Sequence, residues 1–227
     1  MLQIIIIIAL FKKTEFKIYL STFLGDIMIN QKRKYAEELF QSEGPIIKAD
    51  ILRKNGLYNR DLAELIHSGD IIKLKTGYYS WNSGASNLSE IETASALVPF
   101  GVICLQSAAL LHELTTLIPL AVYIAIPANR TRVALPEYPP VELVAYSLPY
   151  FGLGLLNMSV GGSKLHVYDR ERTVCDFFRK RHQLGDDLAV EVLRAYMLGV
   201  KNLQTLFDYA GRLRIKSVIK PYVEALI

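Results

Sequence analysis

Residues 59–81 read NRDLAELIHSGDIIKLKTGYYSW, and the change of period inside this stretch decides the fold of the first part of the chain. Asn59 has the side chain of a helix N-cap. Asp61 puts a carboxylate in the first turn, where the helix macrodipole favours it. Leu62, Leu65 and Ile66 form one apolar stripe, and Gly69 closes the segment. Beyond it Ile72-Lys73-Leu74-Lys75 alternates, Thr76-Gly77 supplies a turn, and Tyr78-Tyr79-Ser80-Trp81 is a second β-prone run. A short helix running straight into a hairpin is predicted.

Working upstream, Gln31–Ser42 (QKRKYAEELFQS) reads as a helix anchored by Tyr35, Leu39 and Phe40 and stopped by Gly44-Pro45. Ile47–Lys54 reads as a second short helix, with Ile47, Ile51 and Leu52 on one side and Asn55-Gly56 tolerating the positive φ of its end. Three short helices and a basic hairpin, in that order, predict a winged helix-turn-helix over residues 31–83. Downstream, Ser83–Ser89 (SGASNLS) is a polar linker. Helices are expected at Glu90–Leu97 and Leu105–Leu114, strands at Ala121–Ile126, Val141–Tyr146 and Lys164–Tyr168, and a helical tail near 171–181, 187–198, 203–213 and 215–226. The fold class is therefore α+β: an N-terminal winged helix-turn-helix, then a mixed α/β domain over residues 84–227 with a helical C-terminus.

The chain has 227 residues, 51% of them hydrophobic, which suffices for one sizeable core and a second, smaller unit. Its formal net charge of +4 permits phosphate binding without demanding it, and residues 31–81 carry nine basic against seven acidic residues. Cys104 and Cys175 are the only cysteines and both lie in apolar surroundings, so neither a zinc site nor a disulfide scaffold is encoded and a cytoplasmic, reducing compartment is expected. Residues 1–30 form an extension of their own. Its run Ile4–Phe11 is eight residues long and has no basic residue ahead of it, short of the roughly 20 that span a bilayer and wrong in charge order for a signal peptide. No membrane association is expected, and Met28, where a polar helix-forming stretch begins, is an alternative start of translation.

A helix-turn-helix reads base edges from the N-terminal part of its recognition helix. Here Asn59, Arg60, Glu64 and His67 occupy that helix. Arg60 suits a bidentate contact to guanine and Asn59 one to adenine. Lys73 and Lys75 in the wing, with Lys48, would grip phosphates. The plainer reading is that Asn59 caps a helix, Arg60 pairs with Asp61 or Glu64 in solvent, and the wing lysines keep a hairpin soluble.

Arg212, Arg214, Lys216 and Lys220 form a second basic patch, which a solvated face of amphipathic helices would also explain. Enzymatic constellations are thin. His112-Glu113 lacks the second histidine of HExxH, and Gly161-Gly162-Ser163 lacks the GK[ST] ending of a phosphate loop. Asp169, Glu171 and Asp176 could form a magnesium site, but Arg170 and Arg172 are interleaved and suit ion pairs at a helix start. His112 and His166 read as structural. No catalysis, cofactor or metal is expected.

Three segments carry a resemblance. Leu65–Tyr79 (LIHSGDIIKLKTGYY) looks like the winged N-terminal domain of the AbiEi-type antitoxins and related bacterial transcriptional regulators. Leu111-His112-Glu113-Leu114-Thr115, then Pro119 and Ala125-Ile126-Pro127, is similar to that family's LHGLT, P and VP segment, with Glu113 in place of glycine. Val167–Phe178 (VYDRERTVCDFF) resembles its strand followed by ERT, an apolar residue, any residue and D. Residues 1–27 have no counterpart.

The resemblance implies the antitoxin of a type IV toxin-antitoxin system, in which the protein represses its own operon by binding inverted repeats in double-stranded operator DNA and counteracts a nucleotidyltransferase-like toxin. Direct contact with the toxin is not implied; self-association on DNA would match a palindromic operator. Glu171, Arg172 and Asp176 fall on fixed positions of the resembled segment, where a buried Arg172 paired with an acid would brace a strand-to-helix junction. The alternatives are a winged-helix adaptor that binds a protein partner and a metal-dependent nuclease centred on Asp169, Glu171 and Asp176.

Overall fold

The computed structural model describes residues 30–82, 88–130 and 133–227. The N-terminal extension up to residue 29, with the Met28 start, and residues 83–87 of the polar linker lie outside the described residues. The chain is α+β, and its described residues divide into two compact units, 30–73 with 77–82 and 74–76 with 88–227.

In the first unit helix α1 covers residues 30–43. After it come β1 (Ile46–Lys48), α2 (Ala49–Lys54), α3 (Asn59–His67), β2 (Ile71–Lys75) and β3 (Tyr78–Trp81). Helical spacing puts Ala36, Leu39 and Phe40 on one side of α1, where they meet Leu52 of α2, Leu62 and Leu65 of α3, and Ile47 and Ile71 from the sheet. Phe40 also packs against Trp81, ring centroids 5.9 Å apart. Two ion pairs tie α1 to the two ends of α3: Lys32 with Asp61 in its first turn, and Arg33 with Asp70 just past its last, at 2.6 Å.

Two details differ from the sequence reading. Ile47 belongs to a strand, not to a helix that runs on to Lys54. Ile46 lies opposite Ser80 and Ile47 opposite Tyr79 in an antiparallel ladder, so the hairpin gains a third strand in the order β1-β3-β2. Pro45 and two successive β-branched residues favour extended backbone there, and the Ser80 hydroxyl secures the join by donating to the Pro45 carbonyl at 2.7 Å. Second, Asn59 is the first helical residue and Tyr58 the cap position. Asp61 does the capping, its Oδ2 accepting from the Tyr58 N–H at 2.9 Å.

The second unit is built on a five-stranded mixed sheet ordered β6-β5-β4-β8-β7, from β4 (Val102–Ile103), β5 (Val122–Pro127), β6 (Val141–Tyr146), β7 (Leu155–Val160) and β8 (Ser163–Tyr168). β4 pairs antiparallel with β5 and parallel with β8, β5 parallel with β6, and β7 antiparallel with β8. The strand period of two sorts side chains onto two faces. Ile103, Ile124, Ile126, Leu165 and Val167 pack with Ala94 of α4 (Glu90–Leu97), while Val102, Ala125, Tyr146 and Tyr168 pack with Cys104 and Leu105.

Two of these strands, β4 and β7, are absent from the sequence reading. The first is two residues long, too short for a period, and the second (LLNMSV) is poor in β-branched residues. Gly161 and Gly162 form the turn of the β7-β8 hairpin, at φ 57° and 91°, and take no part in a phosphate loop.

α5 (Leu105–Leu111) and α6 (Leu148–Phe151) flank the sheet in sequence, and the chain ends in α7 (Arg170–Arg179), α8 (Arg181–Leu184), α9 (Asp186–Leu198), α10 (Leu203–Arg212) and α11 (Lys216–Glu224). Phe177, Phe178, Val192, Leu193, Leu206, Ala210, Ile219 and Val223 make their shared core. Among the described residues no helix is long and apolar enough to cross a membrane.

α5 stops three residues short of the expected Leu114 because Glu113 adopts φ 58°, the left-handed region that favours glycine. Glu113 is exposed, so its side chain gains no burial there. Glu113→Gly is expected to raise the unfolding free energy by about 0.5–1 kcal/mol, the relief of backbone strain exceeding the added freedom of the unfolded chain. Denaturant midpoints at constant m-value measure it; an unchanged or lower midpoint contradicts the assignment of strain.

Candidate functional site

The residues expected to read DNA all lie on exposed or half-exposed surface of the elements around α3. Asn59, Arg60 and His67 are exposed and Glu64 is half-buried, while Leu62 and Leu65 face the core. The Arg60 side chain is 91% exposed, and its Nε lies 3.2 Å from Glu64 Oε1, a solvated pair one helical turn apart. Lys48 is exposed at the end of β1 with its ammonium 5.7 Å from the centre of the Tyr78 ring.

The two lysines of the β2-β3 hairpin differ. Lys73 is exposed. Lys75 is half-buried, and its ammonium donates to the carbonyls of Leu97 at 2.5 Å and Ala134 at 3.1 Å, within the second unit. Carbonyls that occupy an ammonium's donors leave it less able to hold a phosphate. The basic run 32–34 is also partly consumed, since Lys32 and Arg33 serve the ion pairs that fix α1.

In the second unit, chemistry concentrates where β8 enters α7. Asp169 is the N-cap of α7: its Oδ1 accepts from the Arg172 N–H at 2.7 Å and its Oδ2 from the Tyr209 hydroxyl at 3.0 Å. Arg172 is 0% exposed. Its Nε donates to Asp176 Oδ2 at 3.0 Å, and its Nη1 to the carbonyls of Tyr150 at 2.6 Å and Leu153 at 2.9 Å. The guanidinium lies over the rings of Tyr168 and Tyr146, at 4.4 and 5.1 Å from their centres. Tyr146 donates to the same Asp176 oxygen at 3.0 Å, and Tyr168 to the Phe151 carbonyl at 2.8 Å. Glu171 accepts from the Tyr196 hydroxyl at 2.8 Å, whose oxygen accepts in turn from the Asn202 N–H.

Burial dominates the electrostatics. It pushes the Asp176 carboxyl above the ordinary aspartate value, and the Arg172 charge and hydrogen bond offset only part of that. Burial alone would lower Arg172, but Asp176 together with Tyr168 and Tyr146 outweighs it and holds the guanidinium more firmly protonated. Burial likewise lifts Asp169, against its bonds from Arg172 and Tyr209.

His112 sits 2.7 Å by Nε2 from the Tyr168 carbonyl, which can only accept, so Nε2 carries the proton. Burial lowers the His112 pKa, and Arg170 bonds its carbonyl at 3.0 Å, which makes it a brace between α5 and α7. His166 bonds Asn157 across the β7-β8 hairpin at 2.8 Å.

A cleft of about 670 Å³ opens beside this junction, lined among others by His112, Asp169, Arg170, Glu171, Lys201 and Asn202. Asp169 and Glu171 reach it while Asp176 lies buried against Arg172, so the three carboxylates do not converge. Among the described residues no group of three His, Cys, Asp or Glu is placed to hold a metal ion.

The C-terminal basic residues are dispersed over an exposed face. Arg212 lies 3.9 Å from Asp208, Lys220 lies 3.5 Å from Glu224, and Lys216 lies 5.9 Å from the centre of the Phe207 ring. Arg214 occupies a left-handed turn between α10 and α11, at φ 59°.

Tyr146, Tyr150, Tyr168 and Arg179 complete the buried cluster and were not singled out by the sequence. Their only advance signal was the spacing of four between Arg172 and Asp176, which fixes a charge pair but not the rings around it. No protein-family model matches the chain, and no curated protein matches it significantly.

Removing one member of the Arg172–Asp176 pair leaves a buried charge without its partner. Arg172→Ala and Asp176→Ala are each expected to lower the unfolding free energy by about 3–5 kcal/mol, and the double replacement Arg172→Met/Asp176→Leu by less than their sum; urea titrations of the three variants decide this, and additive losses contradict it.

Asp169 gives a pH dependence. Its folded pKa lies above the unfolded value of about 3.8, so the native state holds the proton more tightly and its contribution to stability is lost as pH rises from that value through the folded one. Asp169→Asn keeps a good N-cap and cannot ionise. Relative to the parent, it should gain stability as pH is raised through this window, and a flat or opposite difference in denaturant midpoints excludes the effect.

Proposed function

We propose that the protein is a sequence-specific DNA-binding transcriptional repressor that acts as the antitoxin of a type IV toxin-antitoxin system, with residues 31–83 as a winged helix-turn-helix. The observation that carries the DNA-binding part is the exposure of Arg60 at the start of α3, a helix whose opposite face is sealed into the core of its unit. A guanidinium held only by a solvent-exposed partner can exchange that partner for a guanine edge at small cost. Lys48 and Lys73, both exposed, are suited to phosphate contacts that set register. In this reading Lys73 carries the wing contact and Lys75 contributes less, since its ammonium is bonded to two carbonyls.

The antitoxin part rests on the resemblance to AbiEi-type regulators. One structural detail supports it: the position at which the resembled segment carries glycine is Glu113, and its backbone has the left-handed conformation that explains a glycine there. The partners are then double-stranded operator DNA with inverted repeats and, functionally, a nucleotidyltransferase-like toxin. The protein works in the cytoplasm without a cofactor and is not an enzyme.

Binding to DNA from upstream of the gene tests the reading. Arg60→Ala is expected to cost about 1–3 kcal/mol and to relax sequence preference. Lys73→Ala should weaken all sequences alike and reduce the slope of log K against log salt by about one, with Lys75→Ala having the smaller effect. Fluorescence anisotropy at several salt concentrations measures both. Parent-like binding by Arg60→Ala and Lys73→Ala would exclude this surface, whereas unchanged capture of a protein partner without sequence-selective DNA binding would favour an adaptor. Co-expression with a nucleotidyltransferase-like toxin, scored by growth, tests the antitoxin role.

A further inference from the structure

We infer that the second unit holds a ligand site for a terminal phosphate group, in a pocket of about 270 Å³ lined by Ala145, Tyr146, Arg179, Lys180, His182 and Gln183. The site is distinct from the proposed DNA-reading helix and does not depend on that function.

The lining contains two permanent cations and a histidine and no acid. Behind it, two guanidiniums, Arg172 and Arg179, share one buried carboxylate. Asp176 Oδ2 is already taken by Arg172 and Tyr146, and the next acid along the chain, Asp186, lies 3.4 Å from Arg181. Arg179 is held in place by aromatic rings, 4.9 Å from the centre of Tyr150 and 5.8 Å from that of Tyr146, yet its Nη1 is buried with no hydrogen-bond partner among the described residues. Arg172 Nη2 and Asp176 Oδ1 are likewise buried and unpartnered among the described residues, so that Nη1 belongs to the interior of the cluster; the pocket is lined by the rest of the half-buried Arg179 side chain, and a fixed guanidinium is suited to phosphate oxygens.

Basic residues here could instead serve the C-terminal end of α7, whose partial charge is about half an electron. That role is already filled: the Asp176 carbonyl accepts from the Lys180 N–H, Phe178 from Arg181, and Lys180 from the N–H groups of Gln183 and Leu184. Two cations also exceed half a charge. The same Asp176 has an unpartnered Oδ1, so the pocket has one repelling oxygen at its back. Arg172 neutralises that carboxylate, which leaves the charges of Arg179 and Lys180 in excess.

Size and shape limit the ligand. The volume falls just under the roughly 300–1,000 Å³ of pockets that enclose drug-sized molecules. Tyr146 is buried and Tyr150 is covered by Arg179, which leaves no free aromatic face for a base to stack on. The recognised element is therefore the phosphate. A monoester, with its second negative charge, is preferred to a diester.

Isothermal titration of the full chain with inorganic phosphate, a nucleoside 5′-monophosphate, the matching nucleoside and a short oligonucleotide with or without a 5′-phosphate tests the site. Saturable binding of phosphate and the monophosphate, with none of the nucleoside, is expected. Arg179→Gln should weaken it about tenfold or more. The exposed-rim variant Lys180→Ala/His182→Ala, which leaves the Arg179 stack intact, should weaken it severalfold at unchanged melting temperature, and Arg60→Ala should leave it unaltered. If the phosphorylated oligonucleotide binds much more tightly than both the mononucleotide and its unphosphorylated form, the phosphate belongs to a nucleic-acid end; equal affinity of mononucleotide and phosphorylated oligonucleotide assigns it to a small molecule. Absence of saturation with every phosphomonoester at low millimolar concentration overturns the inference, as does undiminished binding in the folded Lys180→Ala/His182→Ala variant together with Arg179→Gln.

Discussion

The second unit is organised around one buried charge. Arg172 lies in the first turn of α7 and must satisfy a guanidinium that water does not reach. It meets Nε and Nη1 by drawing in Asp176 from the next turn and the carbonyls of Tyr150 and Leu153 from the α6 region. The rings of Tyr146 at the end of β6 and Tyr168 at the end of β8 cover its faces. A side chain with several donors in a fixed plane can dictate the positions of this many elements, which a buried leucine cannot. The cost is that the cluster stands or falls as a set, because each partner left alone would be a buried polar group.

The first unit uses charge differently. Two of its acids are pulled inward: Asp61 and Asp70 are buried and paired with Lys32 and Arg33 of α1, and Asp61 also caps α3. That arrangement converts a run of basic residues into structural ties while Arg60, Lys48 and Lys73 stay on the surface. The two ties remove as many cations as anions, so what distinguishes the exposed face is the position of its remaining cations and not a change in net charge.

Legibility in the sequence followed the length and periodicity of each element. α3 and the hairpin were readable because a helical stripe of three residues gives way to strict alternation at Ile72, and the α7 pair was readable because four residues separate Arg172 from Asp176. β1 was misread because Ile47, Ile51 and Leu52 fit a helical face as well as Ile46-Ile47 fits a strand, and only pairing with Tyr79 and Ser80 decides between them. β4 and β7 had no pattern to read. Lys73 and Lys75 look equivalent by the strand period, yet the carbonyls that engage Lys75 come from residues 97 and 134, a long-range contact that no local rule contains. The aromatic walls of the Arg172 cluster were hidden for the same reason: Tyr146 and Tyr168 are far apart in sequence and meet edge to face at 5.9 Å because β6 and β8 belong to one sheet.

The same buried cluster bears on why Arg179 is the residue that reaches the surface pocket. Helical spacing puts residues 172, 176 and 179 on one side of α7, so three charged side chains face inward along a single stripe. Asp176 lies between the two arginines along the stripe, and its bonded oxygen, Oδ2, accepts from Arg172 and Tyr146 while Oδ1 has no partner among the described residues. Arg172 finds internal partners for Nε and Nη1 because it sits in the first turn, within reach of Asp176 and the carbonyls of Tyr150 and Leu153, while its Nη2 has no partner among the described residues. Arg179 sits in the last turn, where it stacks on rings and lines the pocket beside Lys180 and His182. A stripe of this kind can neutralise itself at one end and must remain cationic at the other.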